Sequence, residues 1–288
     1  SLASIRALLE PFGAHTTSYC DGNQLLAMGV LDWFEVRFLN HFPRIQRYLI
    51  FAAMPVYLLQ SDLYFPDPNE AVDGLLAVGG DLSPDRLLLA YEIGIFPWYS
   101  PTDPILWWSP DPRCVVFTDR VKVSKSMRNI INRGMYKVTF DLAFEQVMKG
   151  CQKARRSESG TWITQEFIDS YSLLHRLGVA HSVEVWKGKE LVGGLYGVSL
   201  GRMFCGESMF SNESNTSKLA LITLAGELKN RGFELIDCQI YNDHLGSMGA
   251  VEIPRTDFLH KLQHALTFDS FRGSWSSWLE SSAESNHD

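Results

Sequence analysis

The chain lacks any apolar run of the eighteen or so residues that a membrane-spanning helix needs, and its longest candidate, from Tyr48 to Leu59, is broken by Pro55. A membrane protein is therefore not expected. The same stretch follows Arg47 and imitates a signal peptide, yet it starts far into the chain and no small-residue cleavage pattern follows it, so secretion is not expected either. Cysteine is sparse. Cys20, Cys114, Cys151, Cys205 and Cys238 are odd in number, widely spaced and free of any C-x-x-C pair, which argues against a disulfide framework and a zinc site and for a reducing cytoplasm. There is no G-x-x-x-x-G-K-[ST] loop, no G-x-S-x-G elbow and no His pair at metal-ligand spacing. His175, His181, His244 and His260 are scattered, so metal catalysis is disfavoured.

What is present suffices for ordinary folding: 288 residues, 45% of them hydrophobic, can supply one large core or two modest ones. The net charge of −7 discourages a polyanionic partner until its distribution is considered. From Arg113 to Arg156, eleven Lys and Arg face three acids, leaving this segment at +8 and the rest of the chain at −15. Either the segment is a solvated basic face or it meets a polyanion such as nucleic acid.

Residues 1 to 53 show no clean helical or strand period and precede Met54, which reads as a natural start, so they are expected to be a dispensable extension, the alternative being an appended helical element. Beyond it, Asp81-Leu-Ser83-Pro84 predicts a helix through Leu87, Leu88 and Tyr91 that Gly94 stops. Five prolines between Phe96 and Pro112 predict an irregular, rigid loop carrying Trp98, Trp107 and Trp108, suited either to stacking or to core packing. Asp141 and Thr164 read as N-caps of helices reaching Lys153 and Leu177, the second closed by Gly178. Strands are predicted at His181–Trp186, Leu191–Ser199 and Met203–Met209, with Lys187-Gly188-Lys189 as a hairpin turn. A helix from about Lys218 to Asn230, a strand at Phe233–Ile240 and a helix after Pro254 complete a mixed α/β plan, and the serine-rich acidic tail after Phe271 is expected to be disordered.

Two strands carry polar side chains where a core wants apolar ones. The period of two places Asp237 and Gln239 on one face with Phe233 and Leu235, and Glu207 on one face with Cys205 and Met209. A buried carboxylate must be paired or hydrogen-bonded. The Asp237–Gln239 pair, followed by Asn242, Asp243 and His244, is therefore either a site or a polar network pinning a loop, and Glu207 either belongs to it or is an edge-strand charge. Cys238 points to the opposite face and reads as a core residue.

Six blocks in order, Gly74-Leu-Leu-Ala-Val-Gly-Gly-Asp81-Leu-Ser, Gly94-Ile-Phe-Pro-Trp98, Trp107-Trp-Ser-Pro-Asp-Pro-Arg113, Gly160-Thr-Trp162-Ile-Thr, Phe204-Cys-Gly-Glu207-Ser-Met-Phe-Ser211 and Leu235-Ile-Asp237-Cys-Gln239 with Asn242-Asp-His244, resemble the leucyl/phenylalanyl-tRNA–protein transferase family. The resemblance runs from about Met54 to beyond Pro254. It implies a small N-terminal domain, taken as 54–115, and a catalytic domain, taken as 116–271, with the GNAT-type acyltransferase fold, before a tail at 272–288. It also implies a reaction without metal or soluble cofactor: leucine, phenylalanine or less readily methionine passes from tRNA to proteins beginning with Arg or Lys, marking them for proteolysis. On that resemblance Asp237 and Gln239 orient and deprotonate the attacking amine, and Glu207 and Asn242 hold the aminoacyl-adenosine end. Leu195, Phe204, Met209 and Ile236 line its apolar pocket, and Trp98 and Trp162 stack on the terminal adenine or the acceptor peptide. Lys125, Arg128, Arg155 and Arg156 are the candidate phosphate contacts, from charge alone. An acetyl-CoA-dependent N-acetyltransferase is a competing reading, although its pyrophosphate loop [Q/R]-x-x-G-x-[G/A] is absent from Ser211–Lys218. A non-catalytic tRNA- or peptide-binding protein is a third.

Overall fold

The computed structural model describes residues 56–156 and 161–279, so the expectations for residues 1 to 53 and for the last nine lie outside the described residues. A small sheet comes first. In it β1 (Tyr57–Leu59) runs parallel to β2 (Leu75–Gly79), while β3 (Phe96–Pro97) and β4 (Leu106–Trp108) complete the order β1-β2-β4-β3. Between β2 and β3 lies α1 (Pro84–Glu92), opened by a first-turn proline whose missing N–H costs nothing there. Gly94 then turns the chain away at φ 81°, a conformation that a side chain would strain. β3 and β4 fall inside the loop predicted to be irregular. Pro97 is tolerated because β3 is the sheet's edge, where no further strand asks for its N–H.

The larger sheet has seven strands: β5 (Arg113–Phe117), β6 (Lys137–Phe140), β7 (Ala180–Lys187), β8 (Glu190–Leu200), β9 (Met203–Ser211), β10 (Leu235–Gln239) and β11 (Val251–Ile253). Their order is β11-β5-β10-β9-β8-β7-β6, with β9 and β10 parallel and every other pair antiparallel. Among the described residues six helices surround it: α2 (Lys125–Arg133), α3 (Phe144–Arg156), α4 (Gln165–Arg176), α5 (Thr216–Asn230), α6 (Asp243–Ser247) and α7 (Arg255–Leu266). The mixed α/β plan holds. Thr164 caps α4 by accepting from the Phe167 N–H, and Ser124 does the same for α2 toward Met127. No helix among the described residues is long and apolar enough to cross a membrane.

β5 has no counterpart among the predicted strands, and it straddles the expected domain boundary at 115/116. It lies between β10 and β11, so the small sheet ends at Trp108 and the larger one begins at Arg113. The two sheets also share a core. Leu75, Trp107 and Tyr91 join Phe144, Tyr171, Tyr196, Cys205 and Phe258 in one hydrophobic cluster. Leu195, Phe204, Ile236, Leu221 and Leu224 form a second cluster on the other face. Each such side chain, fully buried, contributes roughly 1.5–3 kcal/mol.

A bulge changes which face β9 presents. Pairing slips between Tyr196 and Gly197, so Cys205 faces the first cluster whereas Met209, opposite Leu195, packs on the second. The expected sharing of one face by Cys205, Glu207 and Met209 therefore does not occur: one extra residue reverses the alternation. Gly197 sits at this slip, where a Cβ would lie 2.1 Å from the Cys205 carbonyl oxygen. Close backbone approach leaves room for glycine alone.

Asp141 is not a helix N-cap. It adopts φ 58° and its carboxylate accepts from the Ser182 and Trp275 N–H groups and bonds the His181 Nδ1 at 2.9 Å. The Trp275 ring stacks on His181 at 3.6 Å and on Trp278 at 3.8 Å, and both tryptophans are buried. The first part of the expected disordered tail, residues 272 to 279, is thus a strap fastened to the sheet. Two large aromatics hold it despite its serine content, each burying a wide apolar face against the sheet.

Candidate active site

The strand ends at β9 and β10 open onto a cavity of about 720 Å³. Such a volume suits a small-molecule group larger than one side chain, within the roughly 300–1,000 Å³ of typical ligand sites. Leu195, Phe204, Met209 and Ile236 line it, as do Glu207, Gln239, Asn242, Trp98 and Trp162. All nine were singled out in the sequence. The apolar wall is larger than expected: Phe210, Leu221 and Leu224 belong to it, and Tyr241 and His244 lie at its polar side.

Asp237 is absent from the lining and lies behind it. Its side chain is fully buried, and both oxygens are taken by Arg113, whose Nε donates at 2.8 Å and Nη2 at 2.7 Å. Arg113 also donates to the Gly94 carbonyl at 3.1 Å and lies between the rings of Phe96 and Phe258. The carboxylate also accepts from the Gln239 N–H at 2.9 Å. Behind the lining and with both oxygens engaged, Asp237 is not placed to touch a group in the cavity, so its expected direct part in deprotonating the amine finds no contact there, whereas Gln239 does line the cavity. Register slips between Asp237 and Gln239, Gln239 stands at φ 64°, and this turn aims its side chain at Glu207, to whose Oε1 the amide donates at 2.7 Å.

Glu207 is the buried carboxylate of the cavity wall, on which His244, its pKa lowered by burial, also stands. Burial pushes its carboxyl up to about 7 and the nearby Asp237 adds to this, while hydrogen bonds from Tyr91 and Gln239 and the Arg113 charge oppose it. The Tyr171 hydroxyl donates to its Oε2 at 3.4 Å, and the Tyr171 and Tyr91 hydroxyls are hydrogen-bonded to each other. At the cavity mouth Trp98 and Trp162 meet edge to face at 6.1 Å, and the Asn242 side chain accepts from the Leu245 N–H, capping α6. Cys238 lines the cavity too, but burial raises its thiol well above the usual range, which keeps it inert. Among the described residues, no group of three His, Cys, Asp or Glu is placed to hold a metal ion.

The basic segment divides. Arg113 is buried in the ion pair and is no surface cation, whereas Arg120, Lys122, Lys125, Arg128, Arg133, Lys137, Lys149 and Lys153 are exposed. Lys125 and Arg128 stand on α2, and Arg155 and Arg156 end α3 with side chains outside the described ones. Sequence reasoning missed Arg113, Tyr91 and Tyr171 as parts of the site. The demand of a buried carboxylate for a counter-charge was the signal that could have found the arginine.

The family model described as leucyl/phenylalanyl-tRNA protein transferase matches residues 115–263, and that of the same family's N-terminal domain matches residues 80–111. The leucyl/phenylalanyl-tRNA–protein transferase of Flavobacterium psychrophilum is 57% identical over 210 residues, covering 72% of this chain and 100% of its own. That of Desulforapulum autotrophicum is 53% identical over 224 residues, covering 77% and 98%. A solved aminoglycoside N-acetyltransferase overlays 48% of this chain and 91% of its own at 10% identity and a TM-score of 0.28, a likeness too slight to bear weight.

Proposed function

Because the chain belongs to the leucyl/phenylalanyl-tRNA–protein transferase family, and so transfers an aminoacyl group from tRNA to protein, we propose that leucine or phenylalanine, and methionine less readily, is joined to proteins beginning with Arg or Lys. The modified proteins would thereby be marked for degradation in the cytoplasm. The observation that carries this reading is the cavity itself, which sets an apolar wall against a hydrogen-bonded polar one.

Aminolysis of an ester runs downhill, so the enzyme's main task is to hold the carbonyl carbon and the incoming amine in attack geometry, an effect worth up to about 7–11 kcal/mol. Leu195, Phe204, Met209 and Ile236 receive the aminoacyl side chain. An apolar pocket separates side chains differing by a methylene by only about 1–3 kcal/mol, which fits tolerance of leucine, phenylalanine and methionine together. Glu207 and Asn242 hold the aminoacyl-adenosine end, and Trp98 and Trp162 offer faces for the adenine or the acceptor peptide, each stacked base being worth about 1–3 kcal/mol. Gln239 orients the amine, and Asp237, locked by Arg113, fixes the backbone turn that presents Gln239. Lys125, Arg128, Arg155 and Arg156 meet tRNA phosphates. Neither metal nor soluble cofactor is needed.

Incubation of the protein with leucyl- or phenylalanyl-tRNA and an Arg-ended peptide should give the extended peptide, and the same peptide with an acidic first residue should not react. Acetylation of the peptide from acetyl-CoA, with no aminoacyl transfer, would overturn the reading in favour of an N-acetyltransferase.

A further inference from the structure

Glu207 is backed by two tyrosines carried on helices that pack against each other. Tyr91 comes from α1, beside the small sheet, and Tyr171 from α4, which packs beside the larger one. Both rings are buried, their hydroxyls bond each other, and Tyr171 donates onward to the Glu207 Oε2. Burial lifts both hydroxyls well above their usual range, so they stay protonated and act as donors. The remaining groups around Glu207 are Gln239 and Asp237 on β10, Arg113 on β5 and Cys205 on β9. Asp237 and Arg113 are committed to each other, Gln239 holds the second Glu207 oxygen, and burial raises the Cys205 thiol far out of range. Glu207 is therefore the carboxylate of the cavity wall that is able to change its proton.

We propose that Tyr91 and Tyr171 are positioning residues for the transfer, which keep Glu207 ionised and aimed so that it accepts the proton shed by the attacking amine. The inference rests on the aminoacyl transfer proposed above. In the step, the amine nitrogen bonds to the ester carbonyl carbon and the bond from that carbon to the ribose oxygen breaks. One amine proton passes to the Glu207 carboxylate and from there to the leaving ribose oxygen, so the enzyme returns to its starting charge. The tyrosine pair stabilises the ionised form through donated hydrogen bonds that the protonated form needs less.

The test is the pH dependence of kcat with saturating charged tRNA and an Arg-ended peptide, for the full chain and for Tyr171→Phe, Tyr91→Phe and Glu207→Gln. Loss of one donor should move the acid limb upward by about one pH unit. At pH 7 the ionised share then falls from about one half to about one tenth, a roughly fivefold loss of kcat that is recovered near pH 9. KM for charged tRNA should stay within about twofold, as expected when a loss lies in the reacting geometry. Glu207→Gln should remove the limb, leaving only that of the acceptor amine, which is common to every variant. A limb that stays in place while kcat falls equally at all pH values would reduce the tyrosines to packing residues and overturn the proposal, as would a limb that survives in Glu207→Gln. If one Tyr→Phe chain does not fold, as judged by its melting curve, the other decides. Absence of transfer in the wild type would instead sink the proposed function.

Discussion

Asp237→Ala is the perturbation that best separates support from chemistry. It deletes a fully buried carboxylate and strands Arg113, 1% exposed, with the Gly94 carbonyl as its one remaining described hydrogen-bond partner between the Phe96 and Phe258 rings. Removing one partner of a buried ion pair costs about 3–5 kcal/mol, because the other charge stays desolvated. That is a large share of a domain's roughly 5–15 kcal/mol, and at about 2–4 °C per kcal/mol it should lower Tm by about 6–20 °C. Turnover should fall further than tRNA affinity, since the Gln239 turn loses the acceptor for its N–H. The assay is thermal and urea unfolding beside transfer kinetics. The double variant Arg113→Met/Asp237→Leu, which removes both charges, should regain most of the stability but not the turnover. If Asp237→Ala melts within a degree or two of wild type, the pair is not structural. Asp237 would then have to act directly on the reaction.

Glu207 offers a prediction of opposite sign. Its folded-state pKa of about 7 lies above the ordinary carboxyl value of 4.5, so its contribution to stability is fully present below pH 4.5 and is lost as pH rises through 7. Glu207→Gln should therefore be more stable than wild type above pH 7, by up to about 3 kcal/mol, and unfolding midpoints that do not cross with pH would refute this. Neutralising Lys125, Arg128, Arg155 and Arg156 should flatten the salt dependence of tRNA affinity by about 0.7–0.9 logarithmic units for each phosphate no longer neutralised, and leave leucyl against phenylalanyl preference unchanged. An unaltered slope would return these cations to a solvated face. Trp275→Ala should cost about 3–5 kcal/mol, as for a buried aromatic, and an unchanged melting curve would show that the strap carries no stability.

Local rules served where the answer was local. Alternation and the Lys187-Gly188-Lys189 turn mark the β7–β8–β9 meander, and Thr164 and Gly178 bracket α4, because caps and periods act over a few residues. The cavity wall was legible through the family resemblance and not through alternation, which in a regular strand puts Phe204 and Met209 on opposite faces until the bulge between them intervenes. What was not legible depends on distance. Arg113 opens β5 with a buried charge whose partner lies 124 residues away, so Arg113-Cys-Val-Val-Phe does not read as a sheet-centre strand. The β9 bulge, too, is set by pairing with β8 and not by its own sequence, and Asp141 is read by His181 and Trp275 from afar.

β5 also sets the order in which the enzyme can come into being. Its neighbours, β10 and β11, are synthesised more than a hundred residues later, so a nascent chain carries an unpaired strand whose Cys114, Val115 and Val116 are wholly buried only in the finished protein. Arg113 at one end and Asp119 and Arg120 at the other flank that strand with charge, the pattern of gatekeepers that discourage association between unfinished chains. Arg113, one of those flanking charges, is also the residue that clamps Asp237 in the finished sheet. An incomplete chain consequently has no assembled site and cannot consume charged tRNA, and competence for transfer arrives with the closing of the sheet.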